Sequence, residues 1–260
     1  MKQFITCLCF LFASVMAQAQ DAAGVTVTQD TVNKQPLIKH IVPKLAIGVA
    51  YAATVYTVYK TADPEIQDES QEGKTAFKSD ISHSVSPLGL ATTNMIGSVL
   101  VTGYGMLSKN PRLQKAGVLL MGSLAVNGFV TATLKKQFQR YRPSTGKSFN
   151  TFDGDDGPGI NQSFPSAHTS NAFTTATIFA SIYKDKKWVA PFAYGMATMV
   201  GLSRIYDNAH WASDVMTGAA IGFLSAKSVL LLDKVLSNHH IHIYPQIGLK
   251  QAGAAMVYQF

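Results

Sequence analysis

Residues 116–143 read AGVLLMGSLAVNGFVTATLKKQFQRYRP, and this stretch decides the fold class. Its first part, residues 116–134, is uncharged and is long enough for a buried or membrane-spanning helix. Two lysines follow it, and Arg142-Pro143 ends the element because proline cannot continue a helix. The stretch therefore predicts an apolar helix with a group of cations at its C-terminal end.

Similar uncharged runs recur along the chain. They cover 45–59, 87–108, 169–183, 188–203 and, interrupted by Lys227, 215–232. Gly218 and Gly222 lie one helical turn apart, a spacing that favours close helix packing. We predict an all-α fold, a bundle of about six helices that is either membrane-embedded or soluble. The acidic segment from Asp63 to Asp80 is interpreted as a solvated loop.

Composition narrows the class of protein. The 260 residues hold 22 Lys and Arg against 15 Asp and Glu, a formal charge of +7. Only 14% of residues are charged, compared with about 25% in an average soluble domain. Apolar residues make up 47% of the chain, and glycine and proline together number 30. These values exclude a disordered chain, a collagen and a coiled coil. They leave an apolar soluble bundle or a protein at or in a membrane.

The N-terminus resembles a secretory signal over residues 1–19. Lys2 is followed by an apolar stretch from Ile5 to Met16 and by the small-residue pattern Ala17-Gln18-Ala19. An uncleaved anchor is the alternative. Both cysteines lie inside this segment, so its removal leaves no disulfide and no cysteine-ligated metal. The mature chain then divides into a polar lead-in (20–43), a helical domain (44–238) and a tail (239–260).

The tail differs from the helical domain in its pattern. Apolar and polar residues alternate over residues 240–244 and again over 256–260. A period of two predicts one or two short strands.

Three clusters of polar residues carry possible chemistry. Lys135 and Arg142 are seven residues apart, which would place both on one face of a helix. Cations at a helix C-terminus or a membrane edge are also common without any function. The segment from Ser163 to His168 is typical of a helix N-terminus, where backbone N–H groups bind anions. A neutral structural histidine is the alternative there.

The third cluster is Ser203-Arg204 with His210 and Asp214. His210 and Asp214 are four residues apart, so on a helix the carboxylate could accept the Nδ1 proton and leave Nε2 as a nucleophile or base. Such pairs on exposed helices usually mean little. In an up-and-down bundle, however, all three clusters fall at one end. Their cations, amides and histidines then fit a phosphate-like anion.

The spacing Lys135-x6-Arg142-Pro143, Pro165-Ser166-Ala167-His168 and Ser203-Arg204-x5-His210-x3-Asp214 resembles a known three-part signature. It is that of the type 2 phosphatidic acid phosphatase (PAP2) superfamily, which includes bacterial class A acid phosphatases and vanadium haloperoxidases. The signature spans residues 135–214. The one departure is Ala167, where the pattern usually has glycine, and alanine can supply the same backbone N–H unless the site needs a positive φ.

The resemblance implies a role for each matching residue. His210 would attack phosphorus and form a phosphohistidine, Asp214 would orient His210, and His168 would protonate the leaving group and then activate water. The remaining matches would hold the phosphoryl oxygens: Lys135, Arg142, Ser166, Ala167 and Arg204. The family needs no metal and no other cofactor.

Two metal-like motifs are rejected. Residues 153–157 resemble the start of a calcium loop, but Pro158 stands where the loop needs glycine and Phe164 where it needs glutamate. His239-His240-x-His242 has no carboxylate or cysteine beside it.

Loop charge predicts on which side of a membrane the site would lie. The site end keeps three basic residues besides the proposed ligands, and the opposite end has six. The basic residues at the site end are Lys136, Arg140 and Lys147. Those at the opposite end are Lys109, Arg112, Lys115, Lys184, Lys186 and Lys187. With the signal, this favours a site on the periplasmic face of a bacterial envelope, in a membrane-associated or soluble periplasmic protein.

The sequence therefore predicts a phosphatase that acts on a phosphate monoester or pyrophosphate, most naturally of a lipid such as phosphatidic acid, lipid A or undecaprenyl pyrophosphate. The alternatives are a soluble, non-specific periplasmic acid phosphatase, a vanadium haloperoxidase and a non-catalytic anion-binding membrane protein. Nothing indicates a nucleic-acid partner, and the leaving group and the oligomeric state stay open.

Overall fold

Eight α-helices and a β-hairpin form the part of the chain that the structure, a computed structural model, describes: residues 35–152, 161–238, 241–248 and 251–258. The helices are α1 (Gln35–Thr57), α2 (Asp63–Glu72), α3 (Ala76–Val85), α4 (Ala91–Leu107), α5 (Pro111–Phe138), α6 (Ala167–Ile182), α7 (Val189–Tyr206) and α8 (Ala212–Asn238). Strands β1 (Ile241–Gly248) and β2 (Gln251–Tyr258) pair antiparallel, as the alternation in the tail predicts. The all-α bundle is confirmed, and the six predicted runs correspond to α1 and α4–α8.

Three sequence predictions fall wholly or partly on residues outside the described ranges. They are the signal segment 1–19, the loop 153–157 and the pair His239-His240. The lead-in 20–43 is described only from Gln35, where α1 already begins.

The acidic segment is helical, so its interpretation as a solvated loop was wrong. Asp63 and Glu65 lie in the first turn of α2, with Pro64 between them, and acidic residues there complement the helix dipole. Thr75 caps α3, since its hydroxyl accepts a hydrogen bond from the Lys78 N–H at 3.3 Å. Asp63 is fully buried and not solvated. Composition alone did not show this, because the partner that buries it lies far away in the sequence.

Helix α6 is the centre of the bundle and packs against α4, α5, α7 and α8. The close approach of α8 depends on its two glycines. A Cβ atom would lie 2.5 Å from the Ser166 carbonyl oxygen at Gly218 and 2.1 Å from the Ser170 carbonyl oxygen at Gly222. The predicted glycine contact therefore holds the start of α6 against the first half of α8.

Two apolar clusters form the core along α6. One joins α3, α6 and α7 through Val85, Ala172, Ala176, Ala197 and Val200. The other joins α5, α6 and α8 through Leu119, Leu120, Leu124, Ile178 and Ala226.

The outer surface of the bundle is apolar. Within the described residues, two stretches are long and apolar enough to cross a membrane, Pro111–Thr145 and Ala212–Asn238, and the bent pair Ala76–Gly89 and Ala91–Leu107 would be a third. Large side chains are exposed there, including Leu107 (86%) and Phe129 (75%). Such a continuous exposed apolar surface indicates association with a membrane.

Candidate active site

Lys135 and Arg142 reach the same region by a route other than the predicted one. Helix α5 ends at Phe138, and Gln139 follows in the left-handed conformation with φ 44°. Arg142 therefore lies in extended backbone before Pro143, and the prediction that both cations share one helix face was wrong. Lys135 Nζ donates to the Gln162 carbonyl, and Arg142 Nη1 donates to the Ala209 carbonyl at 3.4 Å. These contacts direct one cation towards the loop before α6 and the other towards the loop before α8.

Helix α6 begins where the second motif predicted. Ser166 is its N-cap, and its hydroxyl oxygen lies 3.5 Å from the Thr169 N–H, which donates to it. The Ser166 N–H donates to the Asp214 carbonyl at 3.1 Å, which fixes the start of α6 against α8. Ala167 is the first helical residue. The non-glycine residues with positive φ in the described ranges are Lys109, Gln139 and Asn208, so alanine at 167 is not strained.

His210 and Asp214 do not lie on one helix. His210 is in the turn before α8, which begins at Ala212, and Asp214 is in its first turn. The Nδ1 atom of His210 is 3.8 Å from Asp214 Oδ2, beyond hydrogen-bond distance, and it has no other partner among the described residues. Catalytic hydrogen bonds in ligand-free sites are often long and tighten with substrate.

The Asp214 carboxylate itself is firmly held. Its Oδ2 accepts from the Ser163 hydroxyl at 2.5 Å and from the Trp211 N–H at 3.0 Å, the latter as in a capping box. Its Oδ1 accepts from Arg140 at 2.6 Å. Closing the gap to His210 therefore requires a shift of the imidazole and not of the carboxylate.

Arg204 occupies the last turn of α7 and is buried. It pairs with Asp207, whose other oxygen accepts from the Ser82 hydroxyl at 2.6 Å, and its Nε donates to the Ser203 hydroxyl at 3.2 Å. This pair links α7 to α3.

The electrostatics of both histidines reflect burial among cations. Burial lowers the pKa of His168 to about 4, helped by the charges of Arg204, Arg142 and Lys135. Burial also lowers the pKa of His210 to about 4, with Asp214 opposing the shift and the same lysine and Arg142 adding to it. Lys135 and Arg142 thus lie near both histidines, and Arg204 lies near His168.

The sequence pattern missed four residues around this site. Asp63 was placed in a solvated loop, and Arg140 was counted as a loop charge although it is 1% exposed and ion-paired. Ser163 and Asp207 were given no role. Ser163 stands two residues before Pro165 of the second motif. Asp207 stands between Arg204 and His210 of the third motif. These positions beside the motifs are the only local signal for either residue.

Both histidines are expected to remain neutral in the ligand-free protein down to about pH 4. A histidine with an ordinary pKa near 6.5 would be almost fully protonated at pH 5. The measurement is the pH dependence of the ¹³Cε1 shifts of labelled histidine, with His168→Gln and His210→Gln to assign the two signals. Titration of either residue near pH 6.5 would contradict the burial and the cationic surroundings described above.

The bundle therefore brings residues of the three sequence motifs, Lys135, Arg142, His168, Arg204 and His210, to one end. Residues 116–235 match the model of the PAP2 superfamily. This match spans 120 of the 260 residues and includes all three motifs.

Two relatives with similar sequences are named as lipid phosphatases, and a solved structure shares the fold. The chain is 39% identical to lipid A 1-phosphatase of Porphyromonas gingivalis over 131 residues. The matched segment covers 50% of this chain but only 26% of that protein. It is 25% identical to phosphatidylglycerophosphatase B of Bacillus subtilis over 185 residues. That match covers 66% of this chain and 84% of the relative. The crystal structure of the transmembrane PAP2-type phosphatidylglycerolphosphate phosphatase of Bacillus subtilis superposes with a TM-score of 0.57 at 22% identity, over 73% of this chain and 95% of that one.

Proposed function

We propose that this protein is a membrane-associated lipid phosphatase that hydrolyses a phosphate monoester or pyrophosphate through a phosphohistidine on His210. One observation carries the proposal: Lys135 and Arg142 lie close enough to lower the pKa of both His168 and His210, and Arg204, from a third segment, lowers that of His168. A binding protein would need only the cations, whereas neutral histidines supply a nucleophile and a proton carrier.

The first step transfers the phosphoryl group to the protein. His210 Nε2 forms a bond to phosphorus as the bond between phosphorus and the leaving oxygen breaks. Asp214 accepts a hydrogen bond from the Nδ1–H of His210, and its negative charge balances the positive charge that the ring acquires. The three cations and the first N–H groups of α6 stabilise the equatorial oxygens. The bound anion raises the pKa of His168, which then protonates the leaving alkoxide.

The second step returns the protein to its starting state. His168, now neutral, removes a proton from a water molecule that attacks phosphorus. The bond between phosphorus and Nε2 breaks, and phosphate leaves. His210 is again neutral with its proton on Nδ1, so one histidine serves as acid in the first step and as base in the second.

A groove beside the site supports a lipid substrate. It has a volume of about 820 Å³ and runs between α4, α6 and α7. Its lining is mainly apolar and includes Leu88, Phe179, Trp188, Phe192, Met196 and Val200. At Gly89, next to this lining, a Cβ atom would lie 2.7 Å from Val200 and 2.8 Å from the Cβ of His168. An alkyl chain in the groove would thus end near the proposed general acid.

The distribution of basic loops supports a periplasmic site. Arg140 is buried and no longer counts as a loop charge. In the connections between α4 and α8 and the helix ends beside them, two exposed basic residues, Lys136 and Lys147, then remain at the site end, against six basic residues at the other end. Arg112 pairs with Asp185, which brings the α4–α5 and α6–α7 connections together at that other end. The asymmetry favours the end without the site as the cytoplasmic one.

The test is phosphate release by the purified full chain from phosphatidic acid, lipid A phosphate, undecaprenyl pyrophosphate and p-nitrophenyl phosphate, in detergent and EDTA. We expect activity on at least one lipid, with His210→Gln as the blank. Monomeric dioctanoyl phosphatidic acid should have a kcat/KM about 15-fold above the dihexanoyl form, since one chain in the groove buries two more CH₂ groups at about 0.8 kcal/mol each. Equal values for all substrates would indicate a non-specific phosphatase, and restoration of activity only by a divalent ion would contradict the mechanism.

A further inference from the structure

A buried ionic cluster lies behind Asp214. Asp63 (0% exposed), Arg140 (1%) and Asp214 (0%) form two ion pairs in series. Arg140 Nη2 donates to Asp63 Oδ2 at 2.7 Å, and Arg140 Nη1 donates to Asp214 Oδ1 at 2.6 Å. His210 approaches the other oxygen, Oδ2, of the same Asp214 carboxylate. The guanidinium and the imidazole therefore use different oxygens of one carboxylate.

Asp63 also holds the start of α8, on which Asp214 lies. Its Oδ1 accepts from the Ser213 N–H at 2.8 Å, and its Oδ2 accepts from the Ser213 hydroxyl at 2.5 Å. N–H groups in the first turn of a helix lack partners within the helix. Asp63, 150 residues earlier in the chain, supplies a partner for the Ser213 N–H. Helix α2 therefore caps α8 directly beside Asp214.

Aromatic rings and a carbonyl fix the guanidinium between the two carboxylates. The carbon of the Arg140 guanidinium lies 5.2 Å from the centroid of Tyr59 and 5.4 Å from those of Phe152 and Trp211. Its Nε donates to the Phe149 carbonyl at 2.9 Å. The planar fork therefore has little freedom, and a change at Asp63 is transmitted to Asp214.

The charges of the cluster explain why two carboxylates share one arginine. With His210 neutral, Asp63, Arg140 and Asp214 sum to −1. When the ring of His210 carries a phosphoryl group and keeps its Nδ1 proton, it becomes cationic, and the sum becomes zero. Without Asp63, the Arg140 charge would already neutralise Asp214 and leave the phosphorylated ring uncompensated.

We propose that Asp63 and Arg140 are positioning residues that hold the Asp214 carboxylate and its negative charge against His210. The inference rests on the proposed phosphatase function and extends it to a residue outside the three motifs. Neither residue needs to touch the substrate, so their effect should appear in kcat and not in KM.

The test is a double-mutant cycle between Asp63→Asn and Asp214→Asn in the purified full chain. Asp63→Asn should lower kcat about 10- to 100-fold with KM within about twofold of wild type, as a small misplacement of a catalytic group does. In the Asp214→Asn background the same change should cost less than about twofold, because the carboxylate through which Asp63 acts is gone. Glu65→Gln, an exposed acid in the same helical turn, is the matched control and should keep the wild-type kcat.

A purely structural role gives a different result. If Asp63→Asn only loosens the bundle, it lowers kcat by the same factor in the wild-type and the Asp214→Asn backgrounds. That result overturns the proposal. If Asp63→Asn does not fold, Asp63→Glu keeps the charge, and the same cycle applies with the same two outcomes. A wild-type protein inactive on every lipid phosphate would contradict the proposed function itself. An active wild type with an additive cycle contradicts this inference alone.

Discussion

Replacing His210 by glutamine is expected to lower phosphate release by at least about 10⁴-fold, to the level of a blank without protein. The residue is the only nucleophile in the proposed mechanism, and without it neither half of the reaction can proceed. Glutamine keeps most of the side-chain volume in a buried position, which limits any cavity left by the change. The measurement is steady-state phosphate release from the best lipid substrate of the panel.

His83→Gln is the matched control for this variant. His83 is exposed on α3 and takes no part in the site, so its replacement should leave kcat unchanged. Thermal unfolding of both variants in detergent shows whether the fold is kept. A folded His210→Gln protein with more than a few per cent of wild-type activity would exclude His210 as the nucleophile.

Replacing His168 by glutamine is expected to cost about 10²–10⁴-fold on an alkyl phosphate and about tenfold less on p-nitrophenyl phosphate. An alkoxide needs a proton in order to leave, whereas nitrophenolate is stable without one. His168 lies at the start of α6 within the field of Arg204 and Arg142, where it can serve the leaving oxygen. The measurement is kcat/KM on both substrates for the variant and the wild type.

The same variant should show a burst of nitrophenolate. Its second step lacks the base that activates water, so the phosphorylated form accumulates after one turnover. Equal losses on the two substrates, with no burst, would mean that His168 does not transfer the proton to the leaving group.

The helices that form the site could be predicted because their signals are local. The run that ends at Leu134 becomes α5, and the Pro-Ser motif becomes the start of α6 with Ser166 as its cap. Gly218 and Gly222 predicted the close packing of α8, which the structure shows. Each of these features depends on residues within one or two turns of chain.

The features that the sequence did not reveal depend on distant partners. Asp63 looks like any solvated acid until Arg140, 77 residues away, is placed beside it. Arg142 was assigned to a helix because the spacing allowed it, but Gln139 ends α5 before that residue. His210 and Asp214 have helical spacing although a turn precedes α8, so the two side chains come within 3.8 Å of each other without sharing a helix.

The most direct test of the mechanism is the position of the phosphoryl group on the trapped protein. Trypsin separates the two histidines, since residues 148–184 contain only His168 and residues 205–227 only His210. His168→Gln protein is mixed with the best lipid substrate, quenched in alkali because phosphohistidine is labile in acid, digested and analysed by mass spectrometry. The mechanism predicts one phosphoryl group on peptide 205–227 at His210, and none in the double variant with His210→Gln. Phosphate release with no adduct on that peptide, or an adduct on peptide 148–184 of wild-type protein, would contradict it.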